Sequence, residues 1–153
     1  MRRFAILLIA GLVLATGLTL VACSKQHAPP VGRWVGHYDS SAVMVVAWLE
    51  ILPSGQVRVS APDYLDPGDL ADEQREVAHK RLAGQLYDDW GTVKPRDYDF
   101  DGKIFRKPGG FAPQMEWDPG TNQMKVVFYF GMQRSIRIPM TQVKEFSEDP
   151  WLP

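Results

Sequence analysis

This chain of 153 residues contains little cysteine and histidine, and its net charge is close to zero. A single cysteine excludes an intramolecular disulfide and a cysteine-rich metal site. The three histidines, His27, His37 and His79, lack the spacing of zinc ligands. A formal net charge of −1 gives no electrostatic argument for nucleic-acid binding. We therefore predict no metal, no cofactor and no nucleic acid as a ligand of this chain.

Only one apolar run approaches the length of a membrane span. The basic Met1-Arg2-Arg3 precedes a run from Phe4 to Val21 that is interrupted only by glycine and threonine. A basic start, an apolar middle and a small-residue end describe a secretory signal. Polar residues 24–27 follow, instead of the Lys and Arg cluster that usually ends a membrane-spanning helix. Residues 1–22 are therefore predicted to be a signal peptide.

The sole cysteine stands at the end of this run. Leu20-Val21-Ala22-Cys23 resembles the lipobox of bacterial lipoproteins. The resemblance implies a diacylglyceryl group on the Cys23 thiol, cleavage after Ala22, and acylation of the new amine by a chain such as palmitate. Each buried CH₂ contributes about 0.8 kcal/mol, so two or more chains hold a protein stably on a membrane. Ser24 stands where inner-membrane lipoproteins tend to have Asp, which favours an outer-membrane protein facing the periplasm.

The chain that remains after such cleavage has the size of one domain. Its 131 residues contain 15 Lys and Arg against 18 Asp and Glu, a net charge of −3. A chain of this length buries about two-thirds of the surface that it exposes when unfolded. Residues 23–30 are polar and end in Pro29-Pro30, so we predict a tether there and one β-rich domain over residues 31–153. Without disulfides this domain depends on its apolar core.

Alternation of apolar and polar residues predicts β-strands along most of this domain. Residues 34–38 alternate, and the almost wholly apolar run 42–52 precedes a Pro53-Ser54-Gly55 turn and a second alternation at 56–60, which predicts a hairpin. Asp101-Gly102 is a dipeptide favoured in two-residue hairpin turns. Five further strands are predicted at 98–100, 104–105, 114–117, 124–130 and 135–139.

One segment has the spacing of a helix. Asp69 suits an N-cap, and two acidic residues follow where they interact well with the helix dipole. Gly84 costs about 1 kcal/mol relative to Ala inside a helix. We predict one amphipathic helix at about 69–86, with His79 on its exposed face. The predicted fold class is mainly β: a small antiparallel β-barrel or sandwich with this helix inserted.

A glycine and aromatic motif, Gly32-Arg33-Trp34-Val35-Gly36-His37-Tyr38, opens the domain. It resembles the Gly-x-Trp start of lipocalins and their calycin relatives, in which the Trp closes one end of a small barrel. The resemblance covers about seven residues; the chain lacks a Thr-Asp-Tyr motif and has its helix earlier than a lipocalin does. It implies a lipocalin-like barrel in which Arg134 or Arg137 stacks on Trp34. The alternative is that Trp34 and Tyr38 are core residues of another β-fold.

Two acidic features have a structural and a functional interpretation. Residues 97–102 match the first half of a calcium loop, but Pro108 stands where a bidentate Glu is needed. We favour an exposed strand face that runs into a hairpin turn. Glu50 interrupts the apolar run 42–52, and it needs a partner if that strand is buried on both faces. We favour the other alternative, in which Glu50 belongs to an exposed face.

The predicted function is non-enzymatic. His37, Asp39, Ser40 and Ser41 are neighbours, but adjacency in a turn is not the geometry of a catalytic triad. No catalytic residue is therefore predicted. We expect a lipid-anchored envelope protein that binds a small apolar ligand or a protein partner. The alternatives are a structural or assembly accessory of the outer membrane without a ligand cavity, and a hydrolase with an unrecognised site.

Aromatic residues on predicted strands are the candidates for ligand binding, because a small barrel with an aromatic lining suits an apolar molecule. A cavity lined by Trp48 and Tyr129 would favour a ligand, whereas an exposed apolar patch would favour a protein partner. The ligand-binding candidates are Trp34, Tyr38, Trp48 and Tyr129.

Overall fold

A computed structural model describes residues 27–110, 113–130 and 134–152 of the chain. The predicted signal peptide, Cys23 and the first half of the predicted tether lie outside the described residues. The elements are, in chain order, β1 (Gly32–Asp39), β2 (Val43–Ile51), β3 (Val57–Ser60), β4 (Asp63–Leu65), α1 (Asp72–Thr92), β5 (Asp99–Phe100), β6 (Ile104–Arg106), β7 (Gln114–Asp118), β8 (Gln123–Phe130) and β9 (Arg134–Val143).

The nine strands in the described part of the chain form one antiparallel sheet that curls into a half-barrel. Their order is β3-β2-β1-β9-β8-β7-β6-β5, and β4 pairs with β2 beside β3. The prediction of a mainly β fold with one helix is confirmed. The curled sheet is compatible with a lipocalin-like small barrel. Because β3 and β5 stand at opposite ends of the order, the sheet has a seam between them.

Strand β2 is buried along its whole length because both of its faces are covered. Val45 and Leu49 point to the inside of the half-barrel, whereas Met44, Val46 and Trp48 point to the side that α1 covers. The inner cluster comprises Trp34, Val45, Ala47, Leu49, Ile51, Val57, Phe105, Met115, Met124, Val126, Ile138 and Met140. The outer cluster comprises Val35, Met44, Val46, Trp48, Ala78, Leu82 and Leu86.

Close approach of β1 to β9 explains why residue 36, two positions after Trp34, is a glycine. A Cβ atom on Gly36 would lie 2.5 Å from Met140 Sδ and 2.6 Å from the Pro139 carbonyl oxygen. A side chain at this position would therefore push the two strands apart. Trp34 is fully buried in the inner cluster, as a barrel-closing or core residue should be.

The expected stacking of a late arginine on Trp34 is wrong. Arg137 is exposed and donates hydrogen bonds to both carboxylate oxygens of Glu116. Arg134 begins β9, whereas Trp34 pairs with Gln142 near the other end of that strand. Alternation along β9 therefore points Arg137 away from the inner cluster, and the length of the strand separates Arg134 from Trp34.

Helix α1 begins later and ends later than predicted. It runs from Asp72 to Thr92, and the Gln74 side chain accepts a hydrogen bond from the Ala71 N–H at its start. Gly84 does not end the helix, because Leu86 beyond it is fully buried in the outer cluster. Burying such a side chain contributes about 1.5–3 kcal/mol, which outweighs the cost of about 1 kcal/mol for the glycine.

A buried carboxylate ties the end of α1 to the sheet. Glu50 is only 8% exposed, so the expectation of an exposed-face residue is wrong. Arg33 Nε lies 2.8 Å from one carboxylate oxygen of Glu50, and Arg58 Nη1 lies 3.1 Å from the other. Arg58 also donates to the carbonyl oxygens of Trp90 and Val93 at the end of α1. Both faces of β2 are covered, and these arginines therefore supply the partners that a buried carboxylate needs.

A second charged group anchors the first half of α1. Asp39, at the end of β1, forms an ion pair with Arg75 and lies 2.8 Å from His79 Nε2. The His79 ring stacks on Trp151 at 4.0 Å between centroids, and Trp151 Nε1 donates to the His79 carbonyl oxygen. The expected position of His79 on the exposed face of the helix is therefore wrong, because the sheet and the C-terminal segment cover it from two sides.

Candidate functional site

A pocket of about 300 Å³ lies at the seam of the half-barrel. In the described sheet, β3 and β5 do not pair with each other, so the curl is not closed by strand pairing. The lining comes from β3, the segment after α1, the chain around β6 and β7, and the inner face of β8. We call it the seam pocket, and its lining residues are Val57, Val59, Ala61, Val93, Lys94, Arg96, Tyr98, Lys107, Pro113 and Phe128.

The floor of the seam pocket is apolar because it uses inward-facing strand positions. Val57 and Val59 alternate along β3 with Arg58 and Ser60, which face the helix side. Val57 belongs to the inner cluster, and Val59 and Phe128 pack against it. The pocket is therefore an opening onto the core of the half-barrel.

The segment after α1 forms one wall of the pocket. Val93 leaves the helix in an extended conformation, with φ −65° and ψ 126°. Three residues later, Arg96 pairs with Val57: each backbone N–H donates to the other residue's carbonyl oxygen at 2.9 Å. This bridge holds Lys94 and Arg96 against the free edge of β3.

Three positively charged side chains also line the pocket. Lys94, Arg96 and Lys107 line the pocket, and no Asp or Glu is among the lining residues. Burial raises the pKa of the Tyr98 hydroxyl, although the positive charge of Arg96 opposes the rise. Tyr98 therefore keeps its proton at neutral pH and offers a hydrogen-bond donor beside the cations. Chemically, the arrangement suits a molecule with an apolar part and acceptor groups.

The four predicted ligand-binding residues are not brought together. Trp34 lies in the inner cluster and Tyr38 packs against it, whereas Trp48 lies in the outer cluster beneath α1. Tyr129 is 45% exposed, on the face of β8 opposite Phe128. None of the four lines the seam pocket. A role for any of them in binding stays a prediction.

The neighbouring His37, Asp39 and Ser40 do not form a proton relay with one another. Ser40 Oγ accepts hydrogen bonds from the backbone N–H groups of Ala42 and Val43, as in a turn. The Asp39 carboxylate is engaged by residues of α1, as described above, and the His37 ring lies 5.5 Å from that of Trp151. The absence of a catalytic role stays a prediction.

Of the aspartates in residues 97–102, Asp101 bonds within the β5–β6 hairpin, whereas Asp97 accepts a hydrogen bond from Gln56. Asp101 accepts hydrogen bonds from the backbone N–H groups of Lys103 and Ile104 and from Arg106. The bond to Arg106 and then those backbone bonds lower the pKa of Asp101 to about 2. The predicted hairpin is confirmed, since β5 and β6 pair across it, but Gly102 and Lys103 form its turn, one residue later than predicted, because Phe100 pairs with Phe105. The described residues contain no group of three or more His, Cys, Asp or Glu side chains that could hold a metal ion.

A second concave surface lies beside α1 and measures about 430 Å³. We call it the helix groove, and Tyr64, Leu70, Val77 and Ala78 supply its apolar lining. Val77 is 67% exposed and Tyr64 36% exposed, so this surface is an apolar patch on the outside of the molecule. No helix in the described part of the chain is both long and apolar enough to span a bilayer.

Sequence analysis missed the seam pocket, although two signals pointed to parts of it. The alternation at 56–60 already assigned Val57 and Val59 to one face of a strand. Lys94 and Arg96 are two residues apart, as on one side of an extended segment, but nothing in the sequence links them to β3. Comparison with known proteins finds no match: no family model, no curated protein and no solved structure matches this chain.

Proposed function

We propose that the domain is a non-enzymatic binding module that holds a small apolar ligand in the seam pocket. The observation that supports this proposal best is an apolar floor that is continuous with the inner cluster and yet opens at the seam. Ligand pockets usually have volumes of about 300–1,000 Å³ and a mostly apolar lining with a few polar groups. The seam pocket, at about 300 Å³, meets both criteria for a ligand of modest size.

The proposal places this module beside a membrane. The lipobox resemblance of Leu20-Val21-Ala22-Cys23 supports lipidation at Cys23 and attachment to the outer membrane, facing the periplasm. Replacing the cysteine tests this part separately: Cys23→Ser is expected to release the protein from the membrane fraction into the soluble fraction. A Cys23→Ser variant that still sediments with the outer membrane would show that lipid is not the anchor.

Binding of a neutral fluorescent dye tests the pocket. N-phenylnaphthylamine is apolar and uncharged, and its emission rises in an apolar site. We expect it to bind the wild type and to lose at least about tenfold in affinity with Ala61→Phe, because the added ring fills the pocket that Ala61 lines. Val77→Phe is the control, since it places the same aromatic ring in the helix groove instead.

Two results would contradict the proposal. One is the absence of saturable dye binding to the folded wild-type protein. The other is binding that Ala61→Phe leaves unchanged and Val77→Phe removes, which would move the site to the helix groove. Thermal unfolding of both variants, followed by circular dichroism, verifies that a loss of binding does not come from a loss of fold.

The helix groove favours a second candidate function, the binding of a protein partner. Tyr64 and Val77 expose apolar side chains in its lining, and exposed apolar patches often mark interaction sites. On this candidate, Val77→Asp would remove a stoichiometric partner that the wild type retains from envelope extracts, while Ala61→Phe would keep it. Retention of the same partner by both variants would argue against the groove.

A further inference from the structure

We infer that the molecule bound in the seam pocket is an anionic amphiphile, with its acidic group among Lys94, Arg96 and Lys107. This inference rests on the proposed function and specifies the chemical class of the ligand. Three cations line a pocket that has no carboxylate in its lining, in a chain whose acidic residues outnumber its basic ones. The pocket therefore differs in charge from the rest of the molecule.

The three cations are available for a ligand. None of them forms an ion pair with another residue in the described part of the chain. Two arginines on strands β3 and β6 differ: Arg58 is paired with Glu50, and Arg106 with Asp101. Asp97, the acidic residue next to Arg96, accepts a hydrogen bond from Gln56 at 3.1 Å.

The backbone fixes part of this cationic wall in advance. Arg96 is held to Val57 by two backbone hydrogen bonds, and Tyr98 lies two residues further along the same segment. A protonated Tyr98 hydroxyl and a guanidinium both donate hydrogen bonds, and Arg is suited to bidentate recognition of carboxylate or phosphate. Donors that are positioned before binding lose less entropy when the ligand arrives.

The same pocket provides a place for an apolar segment. Val57, Val59 and Phe128 line it together with the charged groups, and Lys side chains also present apolar stems. A simple inorganic anion would leave this floor in contact with water, whereas a neutral hydrocarbon would leave the cations without a partner. A molecule with an acidic head and a short hydrocarbon part satisfies both. It can come from a soluble acid or from a lipid of the membrane.

A comparison of octanoate with octanol tests the inference. Both ligands displace N-phenylnaphthylamine if the pocket accepts their common chain, but octanoate should bind about tenfold more tightly, because charge-assisted hydrogen bonds form. The double variant Lys94→Gln/Lys107→Gln should remove this preference and leave octanol unchanged. The matched control is Lys103→Gln/Lys125→Gln, which removes the same charge from another pocket, one that Glu116 and Asp118 also line.

The outcomes separate this inference from the proposed function. Equal affinities for octanoate and octanol, or an octanoate preference that the double variant keeps, would overturn the anionic ligand and leave the binding module standing. Absence of dye binding itself would overturn the proposed function.

Vesicles distinguish the two sources of such an acid. Sedimentation with phosphatidylglycerol vesicles but not phosphatidylcholine vesicles, lost on adding octanoate, supports a membrane lipid. Binding of octanoate without such sedimentation supports a soluble acid. Vesicle binding that is unchanged by octanoate and by the double variant would place lipid recognition outside the pocket and overturn a lipid as its ligand.

Discussion

The two faces of this sheet are stabilised in different ways. The cluster inside the half-barrel is entirely apolar and draws on β1, β2, β3, β6, β7, β8 and β9. On the side that α1 covers, a smaller apolar cluster is accompanied by the buried Glu50 and by the group around Asp39. We infer from this comparison that apolar burial stabilises the curl, whereas directional charged contacts position the helix on it.

The composition of α1 explains why its side of the sheet needs charge. Only Ala78, Leu82 and Leu86 of its 21 residues are buried. Three buried side chains attract the helix to the sheet, but they do little to fix its position along the sheet, because hydrophobic contact is not directional. Arg58 of β3 bonds the end of the helix and Asp39 pairs with Arg75 near its start, so the two contacts fix the helix at both ends.

The largest expected effect is on the inner face. Trp34→Ala should lower the free energy of unfolding by about 4 kcal/mol, because it removes a large, fully buried side chain and leaves a cavity. Urea denaturation measures this loss. Tyr129→Ala is the control, since its side chain is 45% exposed, and it should change stability by no more than about 0.5 kcal/mol. A Trp34 variant as stable as the Tyr129 variant would refute the inner-face account.

The next effect is on the helix side. Glu50→Ala should cost about 2–3 kcal/mol, because it leaves Arg33 and Arg58 without their shared carboxylate; the value lies below that of fully buried pairs because Arg33 is 43% exposed. Glu116→Ala breaks an exposed pair with Arg137 and should cost at most about 1 kcal/mol. Equal losses in urea denaturation would show that burial by the helix does not strengthen the Glu50 network.

A gain in stability is expected within the helix itself. Gly84 is exposed, and a Cβ atom placed there would meet nothing within 4 Å. Gly84→Ala should therefore add about 1 kcal/mol to the free energy of unfolding and raise the melting temperature. Gly36→Ala, where the added atom would collide with β9, should lower it. A destabilised Gly84→Ala variant would contradict the open space around Gly84 and show that this face of the helix contacts another part of the molecule.

The smallest effect concerns a hairpin at the sheet's end, away from α1. The folded-state pKa of Asp101, about 2, lies below its ordinary value of 3.8, so its stabilisation is present above about pH 4 and is lost as the pH falls through about 2. Asp101→Asn should be less stable than the wild type near neutral pH, and this difference should shrink as the pH falls from about 4 and vanish below about 2. A difference that stays constant with pH would exclude the carboxylate's charge as its cause.

Much of the sheet was predictable because alternating apolar and polar residues indicate which side chains of a strand are buried and which are exposed. Strand β2 was predicted from its apolar run and the β5–β6 hairpin from its Asp-Gly dipeptide, whereas β3 and the strand predicted at 124–130 had this alternation. Strand β4 did not, because it is only three residues long and all three are exposed. The burial of Glu50 was not predictable either, since it depends on a helix that follows in sequence and returns to cover β2.

The candidate site was less predictable than the fold. Its floor follows from the inward positions of β3, but its cations come from the segments after α1 and after β6. They meet because the sheet curls until its two ends approach each other, and curvature leaves no pattern in a single sequence. The aromatic residues chosen as ligand-binding candidates are instead distributed over both clusters and the exposed surface.

Methyl-resolved NMR during titration with N-phenylnaphthylamine tests the central claim most directly. If the seam pocket is the binding site, the methyl signals of Val57, Val59 and Ala61 shift together and saturate at one dissociation constant. The signals of Leu70 and Val77 in the helix groove then stay in place. Saturable shifts confined to Leu70 and Val77, or no saturable shifts at all, would contradict the account.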